Sequence, residues 1–218
     1  MKQKINLLSS LPPSKRPLEE RKKADENDRK CHWKLGKEYF DGNRKQGYGG
    51  YNYDGRWKSV VQDFVKHYNL TGQFRVLDIG CAKGYLLHDF KLLNPKCEVY
   101  GIDISSYAVS CAPELVKDRI IVGNAKHLPF PTDYFDLVIS INSLHNILLI
   151  NEVEKALNEI ERVSKGKAYI SVGAWNNYKE KRNLDTWAVV ATTYLHEKDW
   201  LYLFDRCKFT GDYYWFKP

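Results

Sequence analysis

The chain has 218 residues, a formal net charge of +7 from 34 Lys and Arg against 27 Asp and Glu, and five cysteines. That length suits one sizeable core, a single α/β domain with an N-terminal extension, and no apolar run approaches the roughly 20 residues of a membrane span. An odd cysteine count without a C-x-x-C pair suggests neither a disulfide framework nor a zinc site and fits a reducing cytoplasm, and the start, Met1 to Leu8, is too short in apolar length for a signal peptide.

The charge sits in the N-terminal arm, where residues 1–45 carry 13 Lys and Arg against 7 Asp and Glu. Such an arm suits an RNA, an acidic sugar, a nucleotide-linked substrate or a membrane surface. Glu19, Glu20, Asp25, Glu26 and Asp28 are interleaved with the basic residues, however, and no stripe of stacking aromatics accompanies them. A solvated, partly helical extension is therefore favoured over a nucleic-acid site. Pro12, Pro13 and Pro17 make Leu7 to Pro17 loop-like, and a polar helix is predicted from about Leu18 to Tyr39.

From Tyr39 to Trp57 the composition changes. Gly42, Gly47, Gly49, Gly50 and Gly55 alternate with tyrosines, which rules out a regular helix or strand throughout. The stretch is read as a loop folding over a cleft, with aromatic faces for a sulfonium or a sugar ring and with Arg44 or Arg56 for a carboxylate or phosphate. The plainer alternative is tyrosines packed on the domain surface.

Val60, Val61, Phe64, Val65 and Tyr68 fall at helical spacing. Beyond them strands are predicted at 74–79, 97–102, 119–122, 135–141 and 167–173, and helices at about 84–93, 106–116 and 147–164, the alternation of a parallel βαβ sheet. Residues 187–194 read as a further strand, Lys198 to Cys207 as a helix and Phe209 to Phe216 as a last strand. The run Phe74 to Gly84 is strand, tight turn and helix start, and Gly80 and Gly84 let a ligand approach the backbone. A dinucleotide fingerprint requires a third glycine where Tyr85 stands, while the second strand ends in Asp103. A nucleoside without a pyrophosphate bridge satisfies both facts. Gly80, Asp103, Asn124 and Ser140 all fall at the carboxyl ends of strands, where such sheets bind ligands.

Asp78-Ile79-Gly80-Cys81-Ala82-Lys83-Gly84, Asp103, Gly123-Asn124-Ala125 and Tyr134 to Ser140, in that order over residues 73–173, resemble the linked motifs of the class I S-adenosylmethionine-dependent methyltransferases. Ala82 and Asn124 depart from the usual Gly and Asp. Gly47 to Trp57, a GYGGY-x-YDGRW motif, is similar to that of a bacterial subgroup associated with surface-polysaccharide genes, a likeness running from Lys15-Arg16 to Trp215. The resemblance implies a Rossmann-like fold, a mostly parallel twisted sheet with helices on both faces and a modified terminal strand pair in which 187–194 supplies the extra pairing. Residues 1–57 would be a basic arm and cap, and 58–218 the cofactor domain.

It also implies site roles. Gly80, Gly84 and the Cys81 N–H would face the ribose and methionine parts of S-adenosyl-L-methionine, and Asp78 would orient the turn or meet the amino group. Asp103 would accept from the ribose hydroxyls, Ile104 and Ala125 would sandwich the adenine, Asn124 would bond its exocyclic amine, and Ser140 would open the segment beside the transferred methyl. His145 is the candidate general base, set against a structural histidine at a helix start; Tyr51, with Tyr48 and Asn142, is a weaker candidate for positioning the acceptor. The expected activity is in-line methyl transfer to a small molecule, a sugar or nucleotide-linked sugar, by a monomer or homodimer with no metal. The alternatives are a non-catalytic cofactor-binding protein and an RNA methyltransferase, the latter disfavoured by Ser140-Ile141-Asn142-Ser143 where an Asn-Pro-Pro-Tyr-type motif would stand.

Overall fold

The computed structural model describes residues 2–12 and 18–218. Pro13, Pro17 and the Lys15-Arg16 pair lie outside the described residues.

Seven strands form one sheet: β1 (Arg75–Ile79), β2 (Glu98–Asp103), β3 (Ile120–Val122), β4 (Leu137–Ile141), β5 (Ala168–Trp175), β6 (Leu195–His196) and β7 (Asp212–Phe216). Their order is β3-β2-β1-β4-β5-β6, with β7 also beside β5, and every pairing between these strands is parallel. Successive residues of a strand point to opposite faces, and here both faces are apolar. Val76, Ile139 and Tyr169 go to one side, where Val60, Val61 and Phe64 of α4 (Lys58–His67) and Leu86, Leu87 and Phe90 of α5 (Tyr85–Leu93) cover them. Leu77, Val138 and Ile170 go to the other, under α7 (Ile150–Val163) and α9 (Glu197–Arg206). The stripe Val153, Ala156, Leu157, Ile160 and Val163 keeps α7 on the sheet.

The arm is not one helix. Asp25 caps a new start by accepting the Asp28 N–H, so the predicted span divides into α1 (Leu18–Lys22) and α2 (Glu26–His32). Leu35, at φ 47°, and Gly36 break the chain again before α3 (Lys37–Asp41). The helix expected over 106–116 stops early as α6 (Ser106–Ser110), short of Pro113.

The predicted strand 187–194 is absent. Residue 187 ends α8 (Tyr178–Trp187), and the β-branched residues that suggested a strand make irregular contacts instead. The Thr192 and Thr193 N–H groups bond the His145 carbonyl at 3.0 and 2.9 Å, and Val190 packs with Tyr39, Phe40 and Ala82. These two backbone donors go to the loop after β4 and not to a ladder. The extra pairing at the end of the sheet comes from the two-residue β6 against Ala174 and Trp175, and from β7 along Tyr169 to Gly173. Outside β7, the Ile5 N–H bonds the Tyr213 carbonyl at 3.0 Å and Leu7 is buried, so the start of the arm covers a sheet edge.

Candidate active site

The elbow after β1 is made by three residues with positive φ: Gly80 (76°), Ala82 (50°) and Gly84 (72°). A Cβ on Gly80 would lie 2.0 Å from Ser143 Oγ, and one on Gly84 would lie 2.2 Å from Ile120 Cδ1. The first glycine thus lets the Ser143 side chain sit against the elbow, whereas the second lets α5 start against β3. Asp103 is turned onto the elbow, with Oδ2 accepting the Ala82 N–H at 2.7 Å and Oδ1 accepting the Ser105 N–H at 2.8 Å. Burial raises its pKa, and backbone donors from Ser105, Ala82 and Ile104 pull it back. Asp78, on β1, is buried, and its carboxyl accepts no hydrogen bond among the described residues. Burial, with the Asp103 charge second, pushes its pKa up to about 8.

Two adjacent cavities share Gly80, Ala82 and Asn142 in their walls. The smaller, about 330 Å³, has Gly80, Asp103, Ile104, Asn124 and Ala125 on the domain side and Leu35, Tyr39, Phe40 and Tyr48 on the arm side. The larger, about 690 Å³, is lined by Asp78, Cys81, Tyr51, His145 and Trp187 together with Arg21, Arg44 and Arg56 of the arm. The arm is fastened over both. Asp41 takes the Lys83 ammonium at 2.5 Å on one oxygen and the Tyr107 hydroxyl at 2.5 Å on the other. Burial opposes ionisation of Asp41, but those donors outweigh it and hold the carboxyl below its usual range. Ser105 Oγ donates to the Leu35 carbonyl at 2.5 Å.

Of the residues singled out from the sequence, Gly80, Asp103, Ile104, Asn124 and Ala125 meet in the smaller chamber, and Asp78, Cys81, Tyr51 and His145 in the larger. Gly84 and Ser140 line neither: Gly84 faces Ile120, and the buried Ser140 hydroxyl donates to the Ile79 carbonyl at 3.1 Å. The Cys81 N–H is committed to the Ile102 carbonyl at 3.2 Å, so it is not the ligand donor the motif implied. Asn124 Oδ1 already accepts the Lys126 N–H at 3.0 Å and keeps one further lone pair.

His145 is buried in the loop after β4, where its Nδ1 accepts the Gly173 N–H at 2.7 Å. From this hydrogen bond a neutral ring is assigned its proton on Nε2. Burial pushes its pKa down to about 4. A ring whose basic nitrogen is engaged and whose pKa is that low donates a hydrogen bond far better than it removes a proton. Burial also raises the Tyr51 pKa, keeping that side chain a neutral phenol. Sequence reasoning did not single out Arg21, Ser143 or Trp187. The signal for Ser143 was its place after the fourth strand, but nothing local marks Arg21 or Trp187.

Residues 77–172 match the family model described as a methyltransferase domain. Those residues are thus similar to a methyltransferase domain. The chain aligns at 31% identity with a tRNA (carboxymethyluridine(34)-5-O)-methyltransferase of Arabidopsis thaliana, over 56% of this chain and 29% of that protein. It aligns at 28% with a ubiquinone/menaquinone biosynthesis C-methyltransferase of Burkholderia cenocepacia, over 62% and 57%. Much of each relative's length is thus unmatched by this chain. The crystal structure of the Bacillus subtilis YcgJ protein shares the fold, with a TM-score of 0.53 at 21% identity, covering 67% of this chain and 66% of the other. No helix among the described residues is long and apolar enough to cross a membrane.

S-adenosyl-L-methionine is the cofactor that goes with this domain, and the residues fit it. An Asp103 carboxylate at the chamber wall and a buried Asp78 carboxyl that accepts no hydrogen bond among the described residues suit a nucleoside joined to an amino-acid cation.

Proposed function

We propose that the chain is an S-adenosylmethionine-dependent methyltransferase whose acceptor is a small molecule in the larger chamber, a sugar or nucleotide-linked sugar. The observation that carries this is the Asp103 carboxylate turned onto the elbow, at the wall of a cavity that shares Gly80, Ala82 and Asn142 with a second one of about 690 Å³. When bound, the cofactor supplies a methyl group on a positively charged sulfur. Asp103 and Asn124 hold its nucleoside, and Asp78 meets its amino group. The Tyr48 and Tyr51 rings, 4.7 Å apart, present π faces to positive charge. His145 orients the acceptor as a donor at Nε2 rather than as a base, a role matched to its Nδ1 partner. With the His145 Nδ1 engaged by the Gly173 N–H, acceleration comes from alignment and closeness.

Chamber size and aromatic walls support the sugar-sized acceptor, and the inward-facing arginines of the arm argue against an open RNA-binding face. The test is methyl incorporation from labelled cofactor into a panel of nucleotide sugars, uronic acids and RNA. Incorporation into the first two classes is expected. Incorporation into RNA alone, or cofactor binding with no incorporation anywhere, would overturn the reading.

A further inference from the structure

The basic residues of the arm are not all placed alike. Lys22 and Lys30 pair with Glu19 and Glu26 at helical spacing on the outside. Arg21 does not. It is only 7% exposed, and it lines the larger chamber. Its Nη2 donates to the Gly47 carbonyl at 2.7 Å, while its Nε and Nη1 have no hydrogen-bond partner among the described residues. The guanidinium lies over the Trp187 ring at 4.9 Å, and that of Arg44 lies over the same ring at 6.0 Å. Among the described residues no carboxylate forms an ion pair with either. Arg56, also on the chamber wall, differs: its fork is closed by Asp54 at 2.6 to 2.9 Å.

Leaving buried guanidinium donors unbonded is costly, and so is holding two like charges against one ring. Burial, with the Arg44 charge second, pushes the Arg21 pKa down to about 10, and burial lowers that of Arg44. The glycine cluster is what permits the arrangement. A Cβ on Gly47 would lie 1.9 Å from the Tyr39 carbonyl oxygen, and one on Gly49 would lie 2.8 Å from Arg44 Nε. These glycines thus bring a backbone acceptor to one arginine and clear space for the other. An oxyanion satisfies both cations at once, and guanidinium is the group best shaped to receive it.

We propose that Arg21 and Arg44, set on Trp187, bind an anionic group of the methyl acceptor, a phosphate or a carboxylate. This rests on the larger chamber being the acceptor site. The test is calorimetry on the full chain with pyrophosphate and, separately, with glucuronate, each in the presence and absence of S-adenosylhomocysteine. Saturable binding of at least one probe is expected, weakened about tenfold or more in Arg21→Gln and by a smaller factor in Arg44→Gln, which touches no backbone carbonyl. Melting curves for both variants establish that they fold. Preference for pyrophosphate assigns a phosphorylated acceptor, and preference for glucuronate an acidic one. Failure of both probes to bind the native chain at millimolar concentration, or unchanged affinity in both variants, would overturn the proposal. Anion binding retained in Asp103→Ala while S-adenosylhomocysteine binding is lost separates this site from the cofactor chamber. Anion binding without any cofactor binding in the native chain would sink the proposed function and leave the anion site standing.

Discussion

The two chambers are walled differently. On its domain side the smaller one is built from strand tips and the turns after them: Gly80 and Ala82 after β1, Asp103 and Ile104 at the end of β2, Asn124 and Ala125 after β3. The larger draws on α1, the glycine-rich loop, the loop after β4, α8 and the segment after it. The first has its shape fixed by backbone geometry and a rigid sheet. The second is held by single side-chain clamps such as Asp41 with Lys83 and Tyr107, and Arg21 with Gly47. Damage to the first should therefore appear in both stability and cofactor affinity, and damage to the second chiefly in acceptor recognition.

The largest expected effect comes from Gly80→Ala, which places a methyl 2.0 Å from Ser143 Oγ on a backbone at φ 76°. Left-handed strain and overpacking together cost about 3 kcal/mol, and the closed space abolishes S-adenosylhomocysteine binding. Gly72→Ala is the control, since Gly72 has φ 66° with nothing near its Cβ position, so about 1 kcal/mol is expected and no loss of binding. Equal losses in urea unfolding of the two variants would show that the elbow is not a tight cradle.

Asp78 and His145 give the next effect, through pH. The folded Asp78 pKa of about 8 lies above the unfolded carboxyl, so the folded chain holds a proton the unfolded chain lacks between about pH 4 and 8, and stability falls as pH rises there. The folded His145 pKa of about 4 lies below its ordinary 6.5, so between those values stability rises with pH. The two oppose one another up to pH 6.5, and only Asp78 acts above it, where the chain is expected to lose about 2 kcal/mol by pH 8. Asp78→Asn should remove that loss, raise stability at pH 8 and weaken S-adenosylhomocysteine binding. Urea midpoints at pH 5, 6.5 and 8 check it, and a variant with the native pH profile contradicts it. His145→Gln should remove the rising limb, leaving stability to fall across the whole range.

The difference between the chambers also explains what was legible in the sequence. The elbow, Asp103 and the sheet around them are written in contiguous runs, because a strand, a turn and a helix start must follow one another along the chain. Arg21 and Trp187 lie far apart in sequence and meet only through folding of the arm, so the interleaved charges around Arg21 read as a solvated helix. His145 was legible as a site residue, but its hydrogen bond from Gly173, on a neighbouring strand, was not. The stretch 187–194 has strand composition, yet the Thr192 and Thr193 backbone donors are claimed by the His145 carbonyl.

The smallest effect concerns Ala82, a non-glycine residue at φ 50° whose methyl is buried against the arm. Ala82→Gly relieves about 1 kcal/mol of strain and loses about as much packing, so melting temperature should barely move. A drop of many degrees would mean that the methyl holds the arm down.

Calorimetry with S-adenosylhomocysteine on the native chain and on Asp103→Ala tests the central claim most directly. Saturable one-site binding is expected in the native chain, weakened about 100-fold in the variant through loss of hydrogen bonds to a charged acceptor. Equal affinity in the two proteins, or no binding to the native chain, would contradict the assignment of the elbow and its carboxylate as the cofactor site.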